Sequence, residues 1–189
     1  MIQMNGTFVN TMIEIPQMIM ISGNGRNAGK TTLACKIIRY LSQKYEVTGN
    51  KTSHHFHRVE KGCLIIKNER FVIYRENQIT LKDSSLMLQA GAQKVYYVTA
   101  EQENLSEAFS ALLQIIPENY MVCESGCLRE FVEPGIFFFV KRTEDIIVKK
   151  HLLNHSPIVV NNDGNHFDFD ISRIKCERNT FKFKTIGNE

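Results

Sequence analysis

Apolar residues in this chain occur as short unbroken runs, separated by stretches where they recur every three or four positions. That alternation predicts strands buried on both faces with helices laid against them. The clearest run is Met18-Ile19-Met20-Ile21, which enters a stretch of Gly and Asn from Ser22 to Gly29 and then Leu33, Ile37, Ile38 and Leu41 at helical spacing. Strand, loop and helix are expected in that order. Tyr45-Glu46-Val47-Thr48 reads as a second strand ending at Gly49-Asn50, and 63–67 with 70–74, parted by Asn68-Glu69, read as a β-hairpin. Such a hairpin either stands off the main sheet or extends its edge. Residues 81–92 form a short helix, with Asp83 as N-cap and Gly91 as its stop. Val95-Tyr96-Tyr97-Val98 is a strand, and Leu105, Ala108, Leu112, Leu113 and Ile116 mark a helix over 102–116, closed by Pro117. Strands follow at 120–126, 136–140 and 157–160, with a helix from Thr143-Glu144 through Leu152 between the last two.

The ends of the chain are less regular. Residues 1–16 have no helical period and read either as a flexible, frayed tail or as an added edge strand, closed by Pro16. After the turn Asn161-Asn162-Asp163-Gly164, Phe167, Phe169, Ile171, Phe181 and Phe183 alternate with polar residues, which predicts further strand or a covering segment. No repeat, linker or low-complexity tract divides the chain. The expectation is one α/β domain over 1–189, with a mainly parallel sheet in three layers and a β-hairpin inserted at 62–75.

Composition narrows the setting. The chain has 189 residues, 43% of them hydrophobic, enough for one sizeable core. A net charge of +3, with Lys and Arg scattered, argues against nucleic acid or an anionic membrane as partner. With no signal-peptide pattern and no apolar stretch near the roughly eighteen residues needed to span a bilayer, a soluble cytoplasmic protein is expected. Five cysteines at irregular spacing are expected to be reduced.

The chemistry begins in the loop. Gly25, Arg26, Asn27, Ala28, Gly29, Lys30, Thr31 and Thr32 follow a strand and open a helix, the layout of a phosphate-binding loop (Walker A). Backbone N–H groups and the helix dipole hold polyphosphate there, Lys30 reaches the β- and γ-phosphates, and Thr31 ligates Mg²⁺. Asn24 stands where the leading Gly usually falls; Asn tolerates positive φ, so the turn remains feasible. Glu124, at the end of a buried strand, has the position of a Walker B carboxylate that reaches the Mg²⁺ shell. These residues predict a P-loop NTPase fold. His54, His55 and His57, with Cys63 nearby, form a polar stretch at the end of the second strand; it reads as a solvated loop, as phosphate or substrate contacts, or as ligands to a transition metal.

Four segments give the chain a resemblance to the molybdopterin-guanine dinucleotide biosynthesis protein B family of small P-loop NTPases. They are the loop from Gly25 to Leu33, Lys51-Thr52-Ser53-His54-His55, Lys82-Asp83-Ser84 with Ala90-Gly91-Ala92, and Val122-Cys123-Glu124. The likeness spans residues 18–163. It implies a GTP-binding, weakly hydrolysing accessory protein, commonly a homodimer, that assists guanylation of the molybdenum cofactor beside a molybdenum cofactor enzyme. By position, Lys30 and Thr31 hold phosphate and Mg²⁺, Glu124 supplies the metal-shell carboxylate, Asp83 lies near nucleotide or metal, and His54 and His55 border the site. Lys30, Asp83 and Glu124 are thus the implied catalytic set. Phe56 stands where the family has an acidic residue, and Ser125 precedes Gly126 where the family has Gly directly after the Glu.

Base identity is not written in the chain, because no N-K-x-D guanine signature is present, so GTP is preferred over ATP on the resemblance alone. Three alternatives stay open. One is an ATP-dependent kinase or carboxylate-activating enzyme, with a small-molecule acceptor between residues 51–58 and Ser125-Gly126-Cys127. Another is an adaptor that binds nucleotide without turnover. Metal delivery through the histidines is the third.

Overall fold

A computed structural model describes residues 12–54, 62–78, 83–116 and 119–184, with Asp83 described by its backbone only. In chain order the elements are β1 (Ile13–Gly23), α1 (Lys30–Leu41), β2 (Val47–Ser53), β3 (Cys63–Lys67), β4 (Phe71–Arg75), α2 (Asp83–Gln89) and β5 (Lys94–Ala100). Then come α3 (Leu105–Ile115), β6 (Tyr120–Ser125), β7 (Val132–Arg142), β8 (Ile158–Asn162), β9 (Ile174–Glu177) and β10 (Thr180–Phe183). The central sheet runs β3-β4-β5-β2-β6-β1-β7-β8, and β9 with β10 forms a separate hairpin. The β1, β2, β5, β6, β7 and β8 pairings are parallel, so this is a mostly parallel α/β fold. The hairpin β3–β4 joins antiparallel to β5 and so extends the edge of the main sheet.

Both faces of the sheet are covered. Leu33, Ala34, Ile37 and Ile38 of α1 and Met87 of α2 pack on one face over Ile19, Ile21, Val122 and Phe138, together with Ile174 and Phe181 of the tail hairpin. Leu105, Ala108, Phe109 and Leu112 of α3 pack on the other, over Met20, Val98, Cys123 and Phe139. The tail is therefore a covering segment, as its alternating aromatics predict. Gly91, at φ 105°, stops α2, with the N–H of Ala92 bonded to the carbonyl of Met87 and that of Gly91 to Leu88.

Four local expectations are corrected. Of the stretch 1–16, residues 1–11 lie outside the described residues, and Ile13 to Pro16 form neither a frayed tail nor an edge strand: they begin central strand β1, which pairs with β7 on both sides of an irregularity between Ile15 and Ile19. Pro16 sits in that gap in the ladder, where a missing N–H costs least. Strand β2 does not end at Gly49-Asn50 but continues to Ser53, so Lys51, Thr52 and Ser53 belong to the sheet. Its polar side chains are buried in pairs: Thr52 donates to Asn50 Oδ1 at 2.8 Å, and Asn50 Nδ2 to the carbonyl of Tyr96 at 3.3 Å. The expected helix from Thr143 to Leu152 is absent; a turn and irregular chain lead to a short 3₁₀ segment, Lys150–His155. Asn24 has no positive φ; that conformation belongs to Asn27, at 60°.

The irregularity in β1 brings Pro16 close to Gly135 of β7. A Cβ on Gly135 would collide with the carbonyl oxygens of Pro16 and Phe181. Gly135→Ala is therefore expected to cost about 1–3 kcal/mol, the usual penalty of overpacking. Urea unfolding that left the midpoint unchanged would show that the two backbones part easily.

Candidate functional site

The carboxyl ends of β2, β6, β1, β7 and β8 lie in that order along the sheet, and the site gathers there. After Gly23 the loop turns back into α1, which starts at Lys30. Gly29 caps that helix at φ 103°, and a side chain there would also press on Asn162 and Phe167. The amide of Asn162, at the end of β8, donates to the carbonyl of Ala28 at 3.0 Å and holds the loop from outside. Gly25 is half-buried with open space around its Cα, Arg26 and Asn27 are exposed, Ala28 is buried, and Thr32 is exposed on the first turn of α1. Lys30 folds back and donates to the carbonyl of Gly25.

The decisive contact crosses from α1 to β6. Thr31 Oγ1 donates to Glu124 Oε2 at 2.8 Å. Glu124 is almost fully buried, and its other oxygen lies 3.3 Å from Lys51 Nζ, on β2. The parallel register explains the trio: Glu124 stands beside Ile21 of β1 on one flank and Lys51 on the other. A carboxylate withdrawn from water in this way is held by one cation and one hydroxyl. The two oxygens of Thr31 and Glu124 are also the donor type that a hard divalent cation takes.

Asn24 is tied down by both its backbone and its side chain. Its backbone N–H extends the ladder to the carbonyl of Val140, and its side chain is buried. Nδ2 donates to the carbonyl of Ile146 at 2.8 Å, and Oδ1 accepts from the N–H of Val148 at 2.8 Å. The irregular segment after β7 is thus bonded along its backbone to the loop, which accounts for the missing helix there. It carries Lys149 to the end of β6, where its Nζ lies 3.0 Å from the position a Cβ on Gly126 would occupy.

Next to Gly126, Ser125 Oγ accepts from the N–H of Leu128 at 3.2 Å. Burial pushes the Cys127 thiol up, although the Ser125 hydrogen bond, the Lys149 ammonium and the His54 N–H pull the other way. Burial raises Cys123 well above the ordinary thiol range.

Of the residues expected from sequence, the fold brings Lys30, Thr31 and Glu124 together, with the backbone of His54 close by at the Cys127 thiol. The His54 residue itself is exposed. His55 and His57 lie outside the described residues. Asp83 opens α2; its neighbour Ser84 donates to Glu76 at 2.9 Å rather than to Glu124. Cys63 is on β3, separated from β2 by β4 and β5, and among the described residues no three His, Cys, Asp or Glu side chains cluster as a metal cage. Lys51, Lys149 and Asn162 join the site without a role assigned to them from sequence. Lys51 lies within one of the four segments of resemblance, but its partner is 73 positions away, and no local pattern signals that pairing.

A groove of about 530 Å³ opens beside the start of α1, bordered by Thr31, Thr32, Lys36, Leu86, His166 and Phe167 among others. It gives a ligand that begins at the loop somewhere to extend. Among the described residues no helix is long and apolar enough to cross a membrane. Fold and site together define a mostly parallel α/β protein with a Gly-rich loop, a lysine and a hydroxyl facing a buried carboxylate. No protein-family model, curated protein or solved structure matches the chain.

Proposed function

We propose that the chain binds a purine nucleoside triphosphate with Mg²⁺ on the loop from Gly25 to Thr32, as a P-loop NTPase of low turnover. The observation that carries this reading is the 2.8 Å hydrogen bond between Thr31 and Glu124, which joins the first turn of α1 to the end of the neighbouring parallel strand. The Lys30 ammonium exchanges the Gly25 carbonyl for phosphate oxygens. Thr31 and Glu124 would hold the cation, which would supply neutralisation of phosphate charge there. Lys51, 3.3 Å from the other carboxylate oxygen, keeps Glu124 aimed at Thr31. The groove beside Thr32 takes the nucleoside end.

The narrower role implied by the resemblance, a GTP-dependent homodimeric accessory step in guanylation of the molybdenum cofactor, belongs to the same proposal. It rests on the four sequence segments, of which His55 and Lys82 lie outside the described residues.

Calorimetric titration with GTP and ATP, each with and without Mg²⁺, tests the core of the reading. Mg²⁺ is expected to tighten triphosphate binding about tenfold or more, equal to about 1.4 kcal/mol or more. Glu124→Gln is expected to remove most of that gain while leaving Mg²⁺-free binding in place. Absence of binding by either nucleotide at millimolar concentration would overturn the assignment. Competition between the two bases settles GTP against ATP.

One observation favours a second reading, an adaptor that binds nucleotide without turnover. Ile146 and Val148 are 84% and 71% exposed on the very segment that Asn24 holds, as apolar contacts for a partner protein would be. Tight nucleotide binding with no phosphate release, even alongside a captured partner, would select it.

A further inference from the structure

Among the cations at the carboxyl edge of the sheet, Lys30 is engaged with the loop, Lys51 with Glu124, and Lys141 with the carbonyls that follow β7. Lys149 differs from these. It is half-buried, and among the described residues it forms no ion pair with a carboxylate. Holding an ammonium beside an uncharged Gly126 without a counter-ion is unfavourable, and such a cation is ready for an anion. Its position is fixed from both sides. The residue before it, Val148, is bonded through its N–H to Asn24 at the start of the loop, and its own Nζ reaches the turn two residues after Glu124. Lys149 therefore stands between the first residue of the Gly-rich loop and the end of the carboxylate-bearing strand.

We infer that Lys149 is a second phosphate-binding cation, which meets the terminal phosphate of a bound triphosphate from the Gly126 side, with Asn24 as its positioning residue. This rests on the nucleotide reading above and adds to it a determinant of triphosphate over diphosphate. The polar side chain at the leading position of the loop then has a purpose that Gly cannot serve. It ties the Lys149 segment to the loop, so the cation and the phosphate cradle keep one geometry.

The test compares affinities for the β,γ-imido analogue of GTP and for GDP, with the adenosine pair in parallel, all in Mg²⁺ buffer. Lys149→Ala is expected to weaken the triphosphate analogue about tenfold while changing GDP less than about twofold, the size of one charge-assisted hydrogen bond lost. Lys149→Arg should restore most of the preference, and Asn24→Ala should reproduce part of its loss. Thermal melts of each variant separate these effects from unfolding, and Lys149→Met serves if the Ala variant melts early. Equal weakening of both nucleotides, or no change in either, would overturn the inference while Lys30→Ala still weakened both. If Lys30→Ala weakened neither, or the wild-type chain bound neither, the underlying nucleotide reading would fail and this inference with it.

Discussion

Lys30→Ala is expected to weaken triphosphate binding about 100-fold or more and to leave the protein folded. Two or three charge-assisted hydrogen bonds to phosphate are lost together, at about 1.5–3 kcal/mol each before partial compensation by water. The folded chain loses little, because Lys30 caps no core element and water can replace it at the carbonyl of Gly25. The apolar face of α1 turns away from it through Leu33, Ala34, Ile37 and Ile38. Calorimetry on the variant, with a melting curve beside it, checks both halves. Undiminished affinity would remove the loop from the site, and a collapsed melting curve would reassign Lys30 to structure.

The largest effect on stability is expected from Phe138→Ala. Phe138 is fully buried in β7, with the rings of Phe169 and Phe183 edge-on at 5.3 and 5.6 Å. Its removal leaves a cavity between the sheet and the tail, at about 3–5 kcal/mol, a large part of the total of about 5–15 kcal/mol for an ordinary domain. Urea unfolding reads the global loss. Limited trypsin digestion reads the local one, since the tail hairpin carries Lys175 and Lys182 and loses the contact of Phe183 with the Phe138 ring. A variant whose unfolding midpoint and tail cleavage matched the parent would refute the role of Phe138 as the tail's anchor.

The strand, loop and helix from Met18 to Leu41 are legible in the sequence because each part follows a local rule: an unbroken apolar run, a glycine turn, a helical period. Glu124 is legible for the same reason, as the polar residue that ends a buried run. Strand β2 is not, because its apolar signal stops at Val47, while Asn50 and Thr52 remain buried by bonding to Tyr96 and to each other, which no periodicity reports. Thr143-Glu144 has the look of a helix start, yet the chain beyond it gives its backbone bonds to the Asn24 side chain. Pro16 has the look of a boundary because the gap in the β1–β7 ladder that accommodates it is a property of the pair. Lys51 with Glu124 and Asn162 with Ala28 are long-range partners, and only the folded sheet makes them neighbours.

Strand β1 leads into the loop from the middle of the sheet, and its flanks are closed by segments much later in the chain: Met18 pairs with Met121, and Ile21 with Phe138. Until β6 and β7 have left the ribosome, Met18 to Ile21 have no strand partners, and the edges of β1 stay open to other chains. Closing loops of that length before the contacts reward them makes assembly slow. The centre of the site is thus among the last parts to be enclosed, and synthesis in the presence of a chaperone should raise the yield of soluble chain more than any change at the surface.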